Sequence, residues 1–197
     1  MFKPLIAFLG LALAAFAPPA FAQSTTQTAV FAGGCFWCME HDMGAIPGVL
    51  SVQSGYTGGA LRDPSYEDVL TERTGHYESV RVRFDASRVS YRQLLDRYWR
   101  LIDPTDDGGQ FCDRGPSYRS AIFATPAQQA EAEASKAALI AGGRIRGQVV
   151  TQVLPLGRFY PAEEYHRDYA RRNPTRYAAY RTACGRNARL RQVWGLD

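Results

Sequence analysis

The sequence has few cysteines and, beyond its amino-terminal segment, no long apolar run. Four cysteines in 197 residues are far fewer than a disulfide-stapled domain carries, so the fold must depend on a hydrophobic core. The lack of a second apolar run of spanning length excludes a multi-pass membrane protein. No internal repeat or low-complexity linker interrupts the chain, which favours a single domain. Hydrophobic residues make up 46% of the sequence and charged residues 21%, as in an ordinary globular protein.

The first 22 residues have the pattern of a secretory signal peptide. Lys3 precedes an apolar run, and the segment closes on small residues at Ala20 and Ala22. The alternative is an uncleaved membrane anchor, for which the apolar run is short. We therefore expect cleavage after Ala22, a mature domain over residues 23–197 with no stable membrane association, and export, most simply to a bacterial periplasm.

Positive charge is concentrated at the carboxyl end of the chain. Residues 158–197 contain nine arginines and four acidic residues. Such a balance is compatible with nucleic-acid binding, but export away from nucleic acid favours a solvated carboxyl-terminal helix instead. The sequence predicts a basic, solvated helical tail and no nucleic-acid partner.

Hydrophobic periodicity predicts a mixed α+β fold. The order of the first six elements, β-α-β-β-α-β, is typical of a two-layer sandwich with a ferredoxin-like core. Two long polar loops, 56–77 and 103–119, interrupt this order, and loops of that length are usually functional. The predicted strands are 28–32, 49–55, 78–84, 120–124 and 149–154, and the predicted helices begin near Cys35, Ser90, Pro126 and Pro161.

A cysteine lies at a strand-to-helix junction. Cys35 follows Gly33-Gly34, where unpaired backbone N–H groups and the positive end of the helix dipole are expected. Such a position lowers the pKa of a thiol, so Cys35 is a candidate reactive thiolate. The alternative is a buried structural cysteine.

Cys35 and Cys38 also form a C-x-x-C pair. A zinc site would need two further ligands at suitable spacing, and the remaining cysteines and histidines are scattered, so we expect no metal. A dithiol that exchanges disulfides is the stronger alternative, although bulky Phe36 and Trp37 inside the pair are unusual for one. A non-catalytic exported binding domain is the third possibility.

Five motifs, in order along the chain, resemble the A-type peptide-methionine sulfoxide reductases. The resemblance runs from about Val30 to Phe123 and continues more weakly to Pro174. It implies an α+β sandwich and thiol-dependent reduction of the S epimer of methionine sulfoxide, free or in proteins, and hence repair of oxidised exported proteins. It also implies a monomer without a bound cofactor that depends on an external thioredoxin-like or dithiol reductant. The motifs are Gly34-Cys35-Phe36-Trp37 with Glu40, and the segments 55–59, 64–66, 74–78 and 113–122.

The resemblance also implies a role for each residue that matches a family motif. A sulfoxide sulfur is a poor electrophile until its oxygen is protonated or strongly hydrogen-bonded, so the site needs an acid as well as a thiol. The implied roles are Cys35 as nucleophile, Glu78 as proton donor, Tyr66 and Tyr118 as hydrogen-bond donors to the sulfoxide oxygen, Asp113 as the residue that orders the site, and Phe36 and Trp37 as walls for the S-methyl group.

A second thiol must then react with the sulfenic acid left on Cys35. Many members of the family use a cysteine in a glycine-rich tail, and Cys184 lies in the tail of this chain. Cys38 is near in sequence, but a disulfide with Cys35 would distort a regular first helical turn. We expect Cys184 slightly ahead of Cys38, with Cys112 third or paired structurally with Cys184.

Overall fold

The structure is a computed structural model that describes residues 25–195. The predicted signal peptide and its cleavage site lie outside these residues. Within residues 25–195, no helix is both long and apolar enough to cross a membrane.

The strands of the described chain form a six-stranded sheet and a short hairpin. The order across the large sheet is β7-β6-β1-β3-β2-β8, and all neighbours are antiparallel except β6 and β7. β4 and β5 form the separate hairpin. The strands are β1 (Thr26–Gly33), β2 (Val49–Thr57), β3 (Tyr77–Asp85), β4 (Gly109–Gln110), β5 (Asp113–Arg114), β6 (Ser120–Ala124), β7 (Gln152–Pro155) and β8 (Tyr160–Pro161).

Helices pack on this sheet and continue to the carboxyl end of the described chain. The predicted α+β class is therefore confirmed. The helices are α1 (Phe36–Gly44), α2 (Tyr66–Leu70), α3 (Tyr91–Trp99), α4 (Pro126–Ala141), α5 (Tyr169–Arg172), α6 (Pro174–Ala183) and α7 (Arg186–Trp194).

Alternation along the central strands divides the core between the two faces of the sheet. Phe31 on β1 and Val82 on β3 lie in the main core, which includes the buried residues of α1 and α3. Val30 and Ala32, which point the other way, pack with Phe123 in a smaller cluster on the opposite face. Both faces of the central strands are thus covered, and α1 is held firmly at the end of β1.

Two predicted helix starts have the caps that the sequence indicates. The Ser90 hydroxyl accepts a hydrogen bond from the Gln93 N–H, and the Gln93 side chain bonds back to the Ser90 N–H. Pro126 is the first residue of α4, where its missing N–H costs nothing.

The carboxyl-terminal third differs from the prediction. Pro161 does not begin a helix, because it pairs with Gly55 at the edge of the sheet. The helical part after it is broken by Pro174 and by Gly185, whose φ of +67° reverses the chain. The predicted strand at 149–154 begins only at Gln152, because the Val150 N–H donates to the Pro104 carbonyl at 2.8 Å.

Both long loops contain short ordered elements. Loop 56–77 includes α2, whose cap is Ser65, and loop 103–119 includes the β4–β5 hairpin and a 3₁₀ turn, Pro116–Tyr118. These elements hold polar side chains over the amino-terminal end of α1.

Candidate active site

Cys35 lies between β1 and α1 and is 6% exposed. It is the N-cap residue of α1, and its side chain caps no backbone N–H. Gly34 precedes it with a φ of +77°, and a Cβ at Gly34 would lie 2.6 Å from the Cβ of Gln110. Only glycine therefore allows the tight turn that delivers Cys35 to the end of the helix.

The N–H groups at the amino-terminal end of α1 donate to the carboxyl groups of Glu78 and Asp113 rather than to the thiol. The Phe36 N–H donates to Glu78 Oε2 at 2.9 Å, and the Cys35 N–H donates to the Asp113 carboxylate. Burial then raises the pKa of the Cys35 thiol, opposed by a hydrogen bond with Tyr180. The expectation of a lowered pKa for Cys35 is therefore wrong, because the groups that were to lower it are already occupied.

Glu78 lies at the start of β3, opposite Tyr56 on β2, and is 2% exposed. Burial raises the pKa of its carboxyl group to about 8, with smaller contributions from the charges of Asp113 and Glu72. The hydrogen bond from Phe36 opposes the rise without cancelling it. At neutral pH Glu78 therefore carries a proton that it can donate.

Two tyrosines from the two long loops lie beside Glu78. Burial raises the pKa of Tyr66 to about 12 and raises the pKa of Tyr118 well above its usual range. The Tyr118 hydroxyl donates a hydrogen bond to the Tyr66 oxygen. Both phenols are neutral at physiological pH, so each carries one proton to donate: Tyr66 can donate it to a bound oxygen directly, and Tyr118 can do so when its hydroxyl turns from Tyr66 to that oxygen.

Aromatic rings surround the first turn of α1. The Phe36 ring is buried, with its centroid 6.5 Å from that of Tyr66 and 5.0 Å from that of His166. The half-buried Trp37 ring stacks on Tyr169 at 3.8 Å, and its Nε1 donates to His166 Nδ1 at 3.2 Å. An S-methyl group is the kind of small polarisable group that such walls hold.

Asp113 on β5 joins the nucleophile to the carboxyl-terminal helices. Its Oδ2 accepts a hydrogen bond from the Tyr180 hydroxyl at 2.6 Å, and its carboxylate also accepts the Cys35 N–H. Burial raises the pKa of Asp113, while hydrogen bonds and Arg186 oppose the rise. The neighbouring residue, Cys112, forms a disulfide with Cys184.

Cys38 is the second free cysteine of the described chain, and it is buried. Its N–H donates to the Cys35 carbonyl at 3.1 Å, and its sulfur accepts a hydrogen bond from the Cys35 thiol. That hydrogen bond, with the charges of Arg186 and Arg181, lowers the pKa of Cys38 to about 7. The lowered pKa of this pair thus belongs to Cys38, not to Cys35.

The donor atoms of Cys112, Asp113 and Cys184 lie within 4.8 Å of one another. The two sulfurs are bonded to each other, so neither offers a thiolate to a metal ion. Asp113 already accepts two hydrogen bonds. The Cys112–Cys184 disulfide in this cluster therefore links the loop that carries Asp113 to the carboxyl-terminal helices.

Several residues of the site were not identified from the sequence. The charge pattern predicts a solvated basic tail at the carboxyl end, yet Arg186 in this segment is 1% exposed, and His166, for which the sequence predicts no role, is 2% exposed. The segment is held over the site by Glu163, which accepts hydrogen bonds from the Tyr56 hydroxyl and the Tyr66 N–H, both at 2.8 Å. No local pattern reveals such contacts, because their partners lie about a hundred residues away in the sequence.

Comparison with known proteins shows the family of this chain. The family model described as peptide methionine sulfoxide reductase matches residues 27–197. The chain is 64% identical over 178 residues to peptide methionine sulfoxide reductase MsrA 2 of Caulobacter vibrioides, covering 90% of each chain. It is also similar to reduced Mxr1 from Saccharomyces cerevisiae, with 29% identity, a TM-score of 0.71, and coverage of 78% of this chain and 89% of that one.

Mxr1 has also been solved in complex with Trx2. That structure shares 23% identity and a TM-score of 0.52 with this chain, covers 75% of this chain and 88% of its own, and shows a common fold alone. The matched motifs, the model match over residues 27–197 and the high identity to MsrA 2 lead to one conclusion. The chain belongs to the peptide methionine sulfoxide reductase family, and its activity is the reduction of methionine sulfoxide.

Proposed function

We propose that this enzyme reduces the S epimer of methionine sulfoxide, free or in proteins, with Cys35 as nucleophile and Glu78 as proton donor. The observation that carries the proposal is the buried Glu78 carboxyl group, which accepts a hydrogen bond from the Phe36 N–H, next to Cys35. Burial raises its pKa to about 8, so it is protonated at neutral pH. Tyr66 and Tyr118 stand beside it as neutral donors.

The first step transfers oxygen from substrate to enzyme. The Cys35 sulfur attacks the sulfoxide sulfur as Glu78 protonates the oxygen, and the proton of the Cys35 thiol replaces the one that Glu78 has given. The S–O bond of the substrate breaks as the oxygen and its proton pass to Cys35, which becomes a sulfenic acid. Methionine leaves. The hydrogen bonds from Tyr66 and Tyr118 stabilise the charge that develops on the oxygen.

Selection of one epimer follows from three fixed positions around the sulfur. The oxygen faces Glu78 and the tyrosines, the methyl group contacts Phe36 and Trp37, and the lone pair side faces Cys35. The other epimer would exchange oxygen and methyl, placing a polar atom against the rings and leaving the donors unpaired. Asp113 contributes by fixing the Cys35 backbone and Tyr180.

We propose that Cys38, rather than Cys184, resolves the sulfenic acid. Cys184 is already bonded to Cys112, whereas Cys38 is a free thiol hydrogen-bonded to Cys35. Cys35 is an N-cap residue with φ −48° and ψ 118°, so closing the bond does not have to distort a regular helical turn. The Cys38 thiolate attacks the Cys35 sulfur, and the S–O bond of the sulfenic acid breaks. The departing hydroxide takes up a proton from solvent, equivalent to the one that Cys38 lost on ionising, so the products are the Cys35–Cys38 disulfide and water.

A Cys38→Ser enzyme is expected to release one methionine per chain and then stop with Cys35 as a sulfenic acid. Trapping with a dimedone probe, followed by peptide mapping, measures this state. A matched Cys184→Ser enzyme is expected to form the Cys35–Cys38 disulfide and trap little probe. A Cys35–Cys184 bond in the wild-type enzyme after one turnover would overturn the assignment.

A thioredoxin-like protein or another dithiol then reduces the disulfide by exchange. The complex of the related Mxr1 with Trx2 supports such a partner. The chemistry needs thiols only, so we propose no bound cofactor. We also propose a monomer, because one chain supplies every residue assigned to the site.

General disulfide exchange by Cys35 and Cys38 is the second candidate function. The hydrogen-bonded free pair, with the pKa of Cys38 lowered to about 7, favours it. Equal efficiency in reducing insulin disulfides and methionine sulfoxide would support this alternative.

The sheet order β6-β1-β3-β2, with α1 after β1 and α3 after β3, supports the proposal of a ferredoxin-like core.

Export and repair of oxidised exported proteins remain part of the proposal. Sequencing the amino terminus of protein recovered from the periplasmic fraction is expected to begin at Gln23. A periplasmic product that begins at Met1 would contradict cleavage after Ala22.

A further inference from the structure

We propose that Arg186 is a positioning residue that stabilises the thiolate of Cys38 during the resolving step. This inference rests on the proposed role of Cys38 as resolving cysteine. Arg186 does not touch the substrate in this proposal, and it acts through Cys38 and the turn that carries it.

The Arg186 guanidinium lies inside the protein against the base of α1. Its Nη1 donates to the Gly33 carbonyl at 3.3 Å and its Nη2 donates to the Leu101 carbonyl at 2.6 Å. Nη2 is also 3.4 Å from the sulfur of Met39, the residue that follows Cys38. A buried cation is thereby fixed to the strand end before Cys35 and to the helix that carries Cys38.

Arg186 is incompletely paired, because it shares its ion-pair partner with a second arginine. Asp42 is 3.6 Å from Arg186 Nε, but both Asp42 oxygens already accept hydrogen bonds from Arg181 Nη1, at 2.9 and 3.0 Å. Arg186 Nε has no hydrogen-bond partner in the described chain. In the described chain Arg181 and Arg186 thus share Asp42 as their ion-pair partner, and Asp113 acts on Arg186 without forming an ion pair with it. An incompletely paired buried charge is costly, and a thiolate at Cys38 adds a further negative charge near both guanidinium groups.

The groups that face Cys38 include some that raise its pKa and some that lower it. The charge of Asp42 raises the pKa of Cys38, and the charge of Cys38 in turn raises the pKa of Glu78 and of Tyr177. The Cys35 thiol lowers the pKa of Cys38 by donating a hydrogen bond to its sulfur, and the charges of Arg186 and Arg181 lower that pKa as well. Tyr177 and Tyr169 pack against it and exclude water.

The fold places Arg186 by means of the crosslink two residues before it. Cys184 is tied to Cys112, and Gly185 with a φ of +67° turns the chain into α7, whose first residue is Arg186. The ring of Phe111, next to Cys112, lies 4.4 Å from the guanidinium carbon. The disulfide thus fixes Phe111, whose ring contacts the guanidinium group, and also the turn at Gly185 that precedes Arg186.

The direct test is the pH dependence of Cys38 alkylation in a Cys35→Ser background, where Cys38 is the remaining free thiol. Arg186→Met is expected to raise the pKa of Cys38 by about one unit or more, which is about tenfold less thiolate well below that pKa. Arg186→Lys is expected to restore part of the acidity. Arg189→Met, on the same helix, is the matched control and is expected to leave the pKa unchanged.

In the enzyme with Cys35 present, Arg186→Met is expected to slow conversion of the sulfenic acid to the disulfide by a similar factor. The rate at which the first methionine is released is expected to stay unchanged. If that variant does not fold, Arg181→Met tests the second cation, which is partly exposed, and a smaller rise in the same pKa is expected. An unchanged Cys38 pKa in a folded variant would overturn the inference. Fast resolution in Cys38→Ser would instead overturn the proposed resolving role, and the alkylation profile separates the two failures.

Discussion

A Cys35→Ser enzyme is expected to form no methionine from methionine sulfoxide, even when enzyme is in excess over substrate. A serine hydroxyl is a far weaker nucleophile than a thiol and cannot form a sulfenic acid, so the oxygen has no acceptor. The measurement is methionine released in a single turnover, followed by chromatography. Methionine at the wild-type rate would remove Cys35 from the mechanism.

The matched control for this variant is Cys38→Ser. It replaces the neighbouring thiol by the same hydroxyl, in the same buried turn of α1, yet it keeps the nucleophile. One methionine per chain is expected from Cys38→Ser and none from Cys35→Ser. Equal melting temperatures for the two variants would show that the difference is chemical.

A Glu78→Gln enzyme is expected to lose about 10²- to 10⁴-fold in the single-turnover rate, the usual contribution of a positioned general acid. Glutamine keeps the size and can donate a hydrogen bond, but it cannot transfer a proton to the oxygen. Glu133→Gln, an exposed position on α4, is the control and is expected to leave the rate unchanged. An unaltered rate in Glu78→Gln would assign the proton to another group.

The role of Glu78 as proton donor also predicts how the single-turnover rate changes with pH. Glu78 donates only when protonated, and burial raises its pKa to about 8, so the wild-type rate is expected to fall as pH rises through that value. Glutamine does not titrate, so Glu78→Gln is expected to lack this fall. A high-pH fall that persists unchanged in the variant would assign it to another group.

The central fold could be predicted because its signals are local. Alternation at Val80, Val82 and Phe84 identifies β3, and the Ser90 capping box identifies the start of α3. These patterns depend on neighbours a few residues away, and the main core follows from them. The carboxyl-terminal third could not be predicted in the same way, because Pro161 is held by a distant strand and Arg186 is buried by contacts with Gly33 and Leu101.

The candidate site was predicted in composition but not in its electrostatics. The family motifs indicate Cys35, Glu78, Tyr66 and Tyr118, and the structure places Glu78 and both tyrosines around the start of α1. The helix terminus suggested a lowered pKa for Cys35, but the Asp113 and Glu78 carboxyl groups take its N–H groups. The acidic thiol of the pair is Cys38, whose arginines lie about 140 residues later in the sequence.

The most direct measurement is a single turnover with separated epimers of methionine sulfoxide, read out both as methionine formed and as the oxidation state of Cys35. The account predicts that the S epimer gives one methionine for each Cys35 oxidised, and that the R epimer gives neither product. Equal conversion of both epimers, or methionine formed while Cys35 stays reduced, would contradict it.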